Sequence, residues 1–235
     1  MQRKFIFSIG EYYHIYNRGT DKRIIFKNKK DYDRFVALLY LCNNKKSVDV
    51  NGFIRGGRSL AELLNVRVKE TLVDIGAYCL MSNHFHLFIR EKQENGISLF
   101  MKKLLTAYSM YFNRKHKRTG CLFEGTFLAT HIDNDVYLKY LFSYIHLNPV
   151  KIIDPKWKEN GVTNIAEAKK HLLSYVYSSY FDYMNIDRKE KKILNRLAFP
   201  EYFANSQEFE QYIDEWLTFK KDSTEEFAKI GAINK

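Results

Sequence analysis

The sequence predicts an α+β fold in which a central antiparallel sheet carries helices on its faces, followed by a helical C-terminal extension. Over residues 12–149 the hydrophobic patterns alternate between periods of two and about 3.6 in the order β, α, β, β, α, β, α. Only Ser82 and Asn83 separate the second and third predicted strands, and so short a connection favours an antiparallel hairpin. We therefore predict one domain over residues 1–150 and an extension over residues 151–235 that packs on it.

Composition indicates a folded protein with a polyanionic partner. Of the 235 residues 16% are aromatic and only three are proline, and the net charge is +11. Positive potential of this size attracts nucleic acid or an anionic membrane surface. Residues 201–235 contain eight acidic residues against four lysines, so the positive excess lies within residues 1–200. We expect the acidic end to be a solvated helix.

Cysteine usage and hydropathy favour a soluble, cytoplasmic protein. Cys42, Cys79 and Cys121 are widely spaced and form no C-x-x-C pair, which argues against a disulfide framework or a zinc ribbon. No run of about 18 apolar residues occurs, and the N-terminus lacks the apolar region of a signal peptide. We expect no membrane association.

The first third of the chain predicts a strand, a helix and an insertion. Residues 12–16 are β-prone and precede turn residues, and residues 30–42 place apolar side chains at mostly helical spacing. Periodicity is then lost over residues 43–69, which we interpret as a long loop or insertion. Residues 59–64 within it are compatible with one or two helical turns.

The third predicted strand carries a possible metal site. A strand over residues 73–81 is followed by the stretch from Met81 to Arg90, in which His84 and His86 alternate with Phe85, Leu87 and Ile89. Successive side chains of a strand point to opposite faces, so the two imidazoles share one face about 7 Å apart. Two imidazoles at this distance can share one divalent cation, which needs further ligands.

The helix predicted over residues 98–115 carries charge of one sign. No acidic residue occurs between Ile97 and Arg118, whereas a solvated helix normally mixes both signs. We predict that this stretch contacts nucleic acid through Lys102, Lys103, Arg114, Lys115, Lys117 and Arg118.

A strand over residues 126–132 precedes a helix that begins near Val136 and should stop at Asn148-Pro149. Tyr144 and Asn148 lie one turn apart on this helix. Tyr144 offers a phenol nucleophile, and the Asn148 amide oxygen offers a third ligand for Mg²⁺ or Mn²⁺. Together with the paired histidines these residues predict a phosphodiester-cleaving site. Further helical patterns cover residues 174–184, 187–197 and 206–219.

The combination of motifs resembles the single-tyrosine HUH transposases, in particular the REP-associated tyrosine transposases. His84-Phe85-His86 matches the His-hydrophobic-His motif, and Tyr144 through Asn148 and Pro149 matches the Tyr-x-x-x-Asn-Pro ending of the catalytic helix. Gly10-Glu11-Tyr12-Tyr13-His14 is similar to the family's Gly-Thr-Trp-Tyr-His signature. The resemblance covers roughly residues 9–184.

This resemblance implies a ferredoxin-like HUH fold that cleaves and rejoins single-stranded, hairpin-bearing DNA through a 5′-phosphotyrosine. It implies Mg²⁺ or Mn²⁺ as cofactor, Tyr144 as nucleophile, and His84, His86 and Asn148 as metal ligands. We further expect DNA contacts from Tyr13, His14 and Arg18. The partner would be a REP-like or insertion-sequence hairpin, and the protein a monomer or homodimer in the bacterial cytoplasm, associated with the nucleoid.

The sequence departs from the family pattern at three places. Glu11 and Tyr12 replace the Thr and Trp of the signature, and Gly125-Thr126-Phe127-Leu128 stands where relatives often have a basic run. The third departure is the insertion, which either contacts DNA or is a mobile loop. Its basic residues are Lys45, Lys46, Arg55, Arg58, Arg67 and Lys69.

Two other functions are compatible with the same residues. One is a catalytically silent protein that binds hairpin DNA or RNA, and the other is a metal-dependent hydrolase that uses water as nucleophile. Tyr108 and Tyr111 are competing nucleophiles, but no oxygen ligand follows one turn after either. We do not expect His14, His116 or His131 to be metal ligands, nor His146 to act directly.

Overall fold

A four-stranded antiparallel sheet forms the centre of the computed structural model, which describes residues 6–46, 49–57 and 59–218. The strands lie in the order β2-β3-β1-β4, and each neighbouring pair is antiparallel. This is the strand order of a ferredoxin-like fold, as the resemblance implied. The strands are Tyr12–Arg18 (β1), Val73–Met81 (β2), His84–Glu91 (β3) and Leu128–Ile132 (β4).

Helices cover both faces of the sheet, which confirms the predicted fold class. In the described part of residues 6–147 the α-helices are α1 (Lys29–Cys42), α2 (Val50–Arg55), α3 (Leu60–Leu63), α4 (Gly96–Lys115) and α5 (Asp135–Leu147). The extension adds α6 (Val150–Ile153), α7 (Trp157–Asn160), α8 (Ile165–Leu172), α9 (Tyr180–Tyr183) and α10 (Ser206–Thr218).

The β2–β3 hairpin sets which side chains face which layer. Met81 pairs with His84 across the two-residue turn of Ser82 and Asn83, as the spacing predicted. Phe85, Leu87 and Ile89 are fully buried in the core beneath α1 and α4. His84 and His86 consequently point to the opposite face, against which α5 packs.

Helix α4 begins at Gly96, two residues before the predicted start, because the end of β3 caps it. The buried carboxylate of Glu91 accepts hydrogen bonds from the backbone N–H groups of Gly96 (2.9 Å) and Ile97 (2.7 Å). An anion at this position satisfies N–H groups that lack helical partners and interacts favourably with the helix dipole. A Cβ at Gly96 would lie 2.3 Å from the carbonyl oxygen of Leu72, so only glycine fits.

Helix α5 is anchored on the other face of the sheet. The side chain of Asn134 caps its first turn by accepting from the backbone N–H of Tyr137 at 2.7 Å. Phe142 and Ile145 are buried in the second core cluster together with Phe88 of β3. The helix ends at Leu147. Asn148 keeps helical φ/ψ of −53° and −39°, but Pro149 has no backbone N–H to continue the helical hydrogen bonds.

The C-terminal extension covers the outer edge of β2. The Leu80 N–H donates to the Tyr177 carbonyl (3.0 Å), and the Ser179 N–H donates to the Tyr78 carbonyl (2.9 Å). Phe209 of α10 belongs to the same core cluster as α5. The extension thus packs directly on the first 150 residues, and it removes one free edge of the sheet.

Two sequence predictions about irregular regions were wrong. The helical turn allowed at residues 59–64 is present as α3, but the rest of the predicted loop over residues 43–69 also contains α2, which was not expected. Residues 187–197 are not one helix but contain two 3-10 turns, Lys189–Ile193 and Arg196–Ala198. The physical reason is that the backbone N–H of Asn195 donates to the Ile75 carbonyl of β2 at 3.0 Å, which holds the chain extended.

The pattern over residues 174–184 gave only the short helix α9, because residues 177–179 pair with β2 instead. Helices α6 to α8 were not predicted. Arg58, Phe219 and the acidic residues after position 218 lie outside the described residues, so the predictions made for them stay predictions.

Candidate active site

His84 and His86 share one face of β3, and their ring centroids lie 5.1 Å apart. The Nδ1 of His84 contacts the side-chain oxygen of Asn83 at 2.6 Å, and the Nδ1 of His86 contacts the Nε2 of His14 at 2.9 Å. Both contacts use Nδ1, so Nε2 is the atom through which each imidazole would bind a cation. A hydrogen bond at the second nitrogen is the usual way in which proteins orient such a ligand.

His14 is the orienting partner of His86, a role that the sequence did not reveal. Its ring on β1 has no exposed surface and stacks against His86 with centroids 5.1 Å apart. A fully buried ring offers no surface to DNA in this structure, and the DNA contact expected of His14 stays a prediction. The adjacency depends on the pairing register of β1 with β3, which the sequence alone does not define.

Tyr144 lies against His86 of β3 and His14 of β1. Its ring is 5.2 Å from that of His86 and 5.7 Å from that of His14, in both cases edge to face. Helix α5 and strand β3 thus bring together, within one chain, residues about sixty positions apart. Burial raises the pKa of the Tyr144 phenol, so the phenol is protonated at neutral pH.

Asn148 follows Tyr144 by one helical turn and is 3% exposed. Its amide nitrogen donates to the backbone carbonyl of Tyr144 at 2.7 Å. This contact uses the nitrogen, so the amide oxygen is the atom that a cation would take. The bond also fixes the side chain at the end of α5.

The three histidines are neutral at physiological pH. Burial is the largest cause in each case, and it lowers the pKa of His14 to about 3, that of His84 to about 4, and that of His86 well below its usual value. The positive charge of Lys158 acts in the same direction on all three. Neutral imidazole is the form that binds a metal ion.

Lys158 is a second residue that the sequence did not reveal. It lies on the short helix α7 of the extension, and its Nζ is 4.0 Å from the centroid of the Tyr144 ring. Desolvation and the charge of Lys151 lower its pKa to about 8. The sequence around it shows no periodicity or motif, so only the tertiary structure identifies it.

The donor set of His84, His86 and Asn148 fits a divalent cation that accepts nitrogen and oxygen ligands. Within the described ranges, no group of three His, Cys, Asp or Glu side chains could hold a metal ion. The predicted third donor, the amide oxygen of Asn148, is not one of these side-chain types. All three donors are uncharged, and Lys158 lies nearby. A cation would therefore depend on negative charge from a bound phosphate.

The predicted DNA contacts on β1 differ in accessibility. Tyr13 is 1% exposed, and its hydroxyl accepts from the Ser8 N–H at 2.9 Å. The Tyr13 ring offers almost no surface to DNA in this structure, and the DNA contact expected of it stays a prediction. Arg18 is exposed, pairs with Glu124, and lies opposite His84 in the β1–β3 register.

The basic residues of α4 lie on the other side of the sheet from Tyr144, since α4 packs in the core beneath Phe85. Lys115 is bound to buried Asp31, Lys103 to the carbonyl of Asn44, and Arg118 to the side chain of Asn113. Three of the predicted contacts on this face are exposed, namely Lys102, Arg114 and Lys117.

The competing tyrosines also lie on α4, across the sheet from the histidines. Tyr108 is fully buried and donates to the Ile25 carbonyl at 2.5 Å, while Tyr111 contacts Asp31 at 3.0 Å. His146 is held between the Phe142 carbonyl and Ser179. These contacts place none of the three beside the paired histidines.

A ferredoxin-like sheet with two histidines on a central strand and a tyrosine helix packed against them defines the HUH class of fold. The family model described as "Transposase IS200 like" matches residues 10–148, more than half of the chain. The chain belongs to this family of transposases. Membership supports a transposase-like function with DNA as partner.

Several solved structures match this chain, and two of them are described here. One is described as the structure of the REP-associated tyrosine transposase bound to a REP hairpin, with 12% identity, a TM-score of 0.48, and coverage of 87% of this chain and 92% of that chain. The other is the tRNA(His) guanylyltransferase of Saccharomyces cerevisiae, with 10% identity, a TM-score of 0.35 and 85% coverage of both chains. No curated protein matches the sequence significantly.

Among the described residues, no helix is long and apolar enough to span a membrane.

Proposed function

We propose that this protein is a metal-dependent endonuclease and strand transferase that cleaves and rejoins single-stranded, hairpin-bearing DNA through a 5′-phosphotyrosine. The observation that carries the proposal is the position of the Tyr144 ring, 5.2 Å from His86, one turn before Asn148. A nucleophile next to a candidate cation site is one arrangement that can cleave a phosphodiester. Family membership supports the coarser part of the proposal, a transposase-like function.

In the proposed step the phenol oxygen of Tyr144 forms a bond to phosphorus while the bond from phosphorus to the 3′ oxygen breaks. The phenol proton leaves to solvent, and the departing 3′ oxygen takes up a proton to give a 3′-OH. Attack by a 3′-OH on the phosphotyrosine reverses these changes and rejoins the strand. The ester linkage conserves the energy of the broken bond, so that rejoining needs no nucleotide cofactor.

His84, His86 and Asn148 would hold Mg²⁺ or Mn²⁺. Such an ion supplies Lewis acidity at the scissile phosphate. The chain's own residues would orient the metal ligands and the nucleophile. His14 fixes the ring of His86 at 2.9 Å, and the turn between Tyr144 and Asn148 fixes the nucleophile relative to the third donor.

We further propose that hairpin DNA approaches the open side of the site. Arg18 and Lys151 are exposed there, and both act electrostatically on His84. The exposed basic residues of α4 and of the turn that follows it, Lys102, Arg114 and Lys117, would form a second contact surface across the sheet. We propose that catalysis occurs within one subunit, because His86 and Tyr144 of the same chain are in contact. The proposed location of this activity is the bacterial cytoplasm.

The test is to incubate the protein with Mn²⁺ and a labelled pool of DNA hairpins with randomised stems and single-stranded flanks. We expect an adduct that resists SDS, and its loss in Tyr144→Phe. Tyr140→Phe is the matched control, since it removes a phenol from the preceding turn of the same helix face. No adduct with any hairpin, or an adduct that persists in Tyr144→Phe, would contradict the proposal.

A catalytically silent protein that binds hairpin DNA or RNA is the competing function. The raised pKa of the buried Tyr144 phenol favours it, because a protonated phenol is a weak nucleophile. This alternative requires salt-sensitive hairpin binding that Tyr144→Phe leaves unchanged, without any covalent product. The adduct experiment therefore separates the two functions.

A further inference from the structure

The C-terminal extension places the ammonium group of Lys158 over the ring of Tyr144, the candidate nucleophile. Lys158 lies ten residues beyond the segment matched by the family model. Its ammonium is 4.0 Å from the centroid of the Tyr144 ring and 5.6 Å from that of Trp157. The first distance is well inside the range of a cation–π contact. Much of the Lys158 residue is exposed, while its ammonium is desolvated where it lies over the Tyr144 ring.

The positive charge of Lys158 acts electrostatically on all three histidines of the site. It disfavours protonation of His14, His84 and His86, which places it near both the nucleophile and the candidate cation ligands. Lys151 adds a second positive charge, while Glu159 on the same helix acts in the opposite direction. The paired histidines, Tyr144 and Asn148 contribute no negative charge, so this part of the site is suited to an anion.

Phosphoryl transfer to a phenol creates negative charge at that position. As the phenol proton leaves, charge accumulates on the attacking oxygen and on the phosphoryl oxygens. A fixed cation beside these atoms stabilises the transition state more than the resting state. The ammonium, with a pKa of about 8, is still mostly charged at neutral pH.

We propose that Lys158 is a catalytic residue contributed by the extension, and that its ammonium stabilises the negative charge that develops at Tyr144 and the scissile phosphate. This role rests on the proposed strand-transfer function. It differs from simple DNA attraction, because a charge that acts in the transition state changes the rate of adduct formation more than DNA affinity.

The test measures the single-turnover rate of adduct formation at saturating hairpin DNA and Mn²⁺, with hairpin affinity measured separately by fluorescence anisotropy. We expect Lys158→Met to lower the rate about 100-fold and the affinity less than about threefold. Lys158→Arg keeps the charge and should retain at least about a tenth of the rate. Lys156→Met removes the same charge from the same segment, where the side chain is exposed, and should match the wild type.

Each outcome decides one proposal or both. No adduct in the wild type, or one that persists in Tyr144→Phe, overturns the strand-transfer function and the role of Lys158 together. A tyrosine-dependent adduct with Lys158→Met at the wild-type rate overturns the role of Lys158 alone. So does a loss that appears only in hairpin affinity, or Lys158→Arg as slow as Lys158→Met. Melting temperatures of all variants exclude unfolding as the cause.

Discussion

At the scale of single residues, the candidate ligand His86 is oriented by a second histidine, His14. His14 has no exposed surface, and its Nε2 meets the Nδ1 of His86 at 2.9 Å. This contact fixes which nitrogen of His86 faces the candidate cation. His14 should therefore influence cation binding without being a ligand.

We predict that His14→Ala lowers Mn²⁺ affinity by about 10- to 100-fold, as is typical when the hydrogen-bonding partner of a metal-binding histidine is removed. Isothermal titration calorimetry with the purified protein measures this directly. His131→Ala is the control, because it removes a partly exposed histidine of β4 that contacts Glu11. Unchanged affinity in His14→Ala would show that His86 needs no such partner.

Acid should destabilise the fold through its buried histidines. Burial lowers the pKa of His14 and His146 to about 3 and that of His84 to about 4, whereas unfolded histidine titrates near 6.5. Between pH 6.5 and 4 the unfolded chain binds more protons, so the free energy of unfolding falls as pH falls. At pH 5 each histidine should contribute a loss of about 1–2 kcal/mol relative to pH 7. Urea denaturation at both pH values tests this, and an unchanged free energy of unfolding would contradict it.

The sequence predicted four site residues from their spacing. His84 and His86 lie two positions apart on a strand, and Tyr144 and Asn148 lie four positions apart on a helix. It missed the role of His14 because that role depends on the register between two strands far apart in sequence. Lys158 was missed because α7 is only four residues long and carries no periodic signal.

At the scale of elements, sequence patterns predicted strands and helices correctly where the conformation depends on neighbouring residues alone. The strand over 73–81 was predicted with its observed bounds, and its hairpin followed from the two-residue turn. The helix predicted over 187–197 failed because Asn195 pairs with Ile75 of β2. Helical periodicity there was overridden by a hydrogen bond to a strand edge about 120 residues away.

The start of α4 provides a prediction at this scale. Gly96→Ala should destabilise the protein by about 1–3 kcal/mol, because the added Cβ would lie 2.3 Å from the Leu72 carbonyl oxygen. Chemical denaturation measures the change in free energy of unfolding. Gly56→Ala is the matched control, as its Cβ would meet its nearest neighbours at 3.4 Å, and it should cost less than about 0.5 kcal/mol. Equal effects at both positions would refute the steric account.

At the scale of the whole molecule, the extension covers one edge of the sheet and also reaches the candidate site. Residues 177–179 pair with the outer edge of β2, and Lys158 reaches Tyr144. The sequence indicated that the extension exists but not which surface it covers, because that depends on contacts between distant segments.

The charge balance of the site predicts that cation and DNA binding are coupled. The candidate ligands are neutral and Lys158 is positive, so a DNA phosphate should raise Mn²⁺ affinity, and Mn²⁺ should raise DNA affinity by the same factor. Titrating Tyr144→Phe with Mn²⁺, with and without hairpin DNA, measures this factor without cleavage. We expect about a 10-fold effect. Equal Mn²⁺ affinity in both titrations would contradict it.

The central claim is that Tyr144 becomes covalently attached to DNA. Mass spectrometry of the proteolysed adduct formed with Mn²⁺ and hairpin DNA tests it most directly. Our account predicts one modified peptide, carrying the 5′-phosphate end of the cleaved strand on Tyr144, together with a free 3′-OH fragment. Attachment to Tyr108, Tyr111 or another residue, or cleavage without any modified peptide, would contradict it.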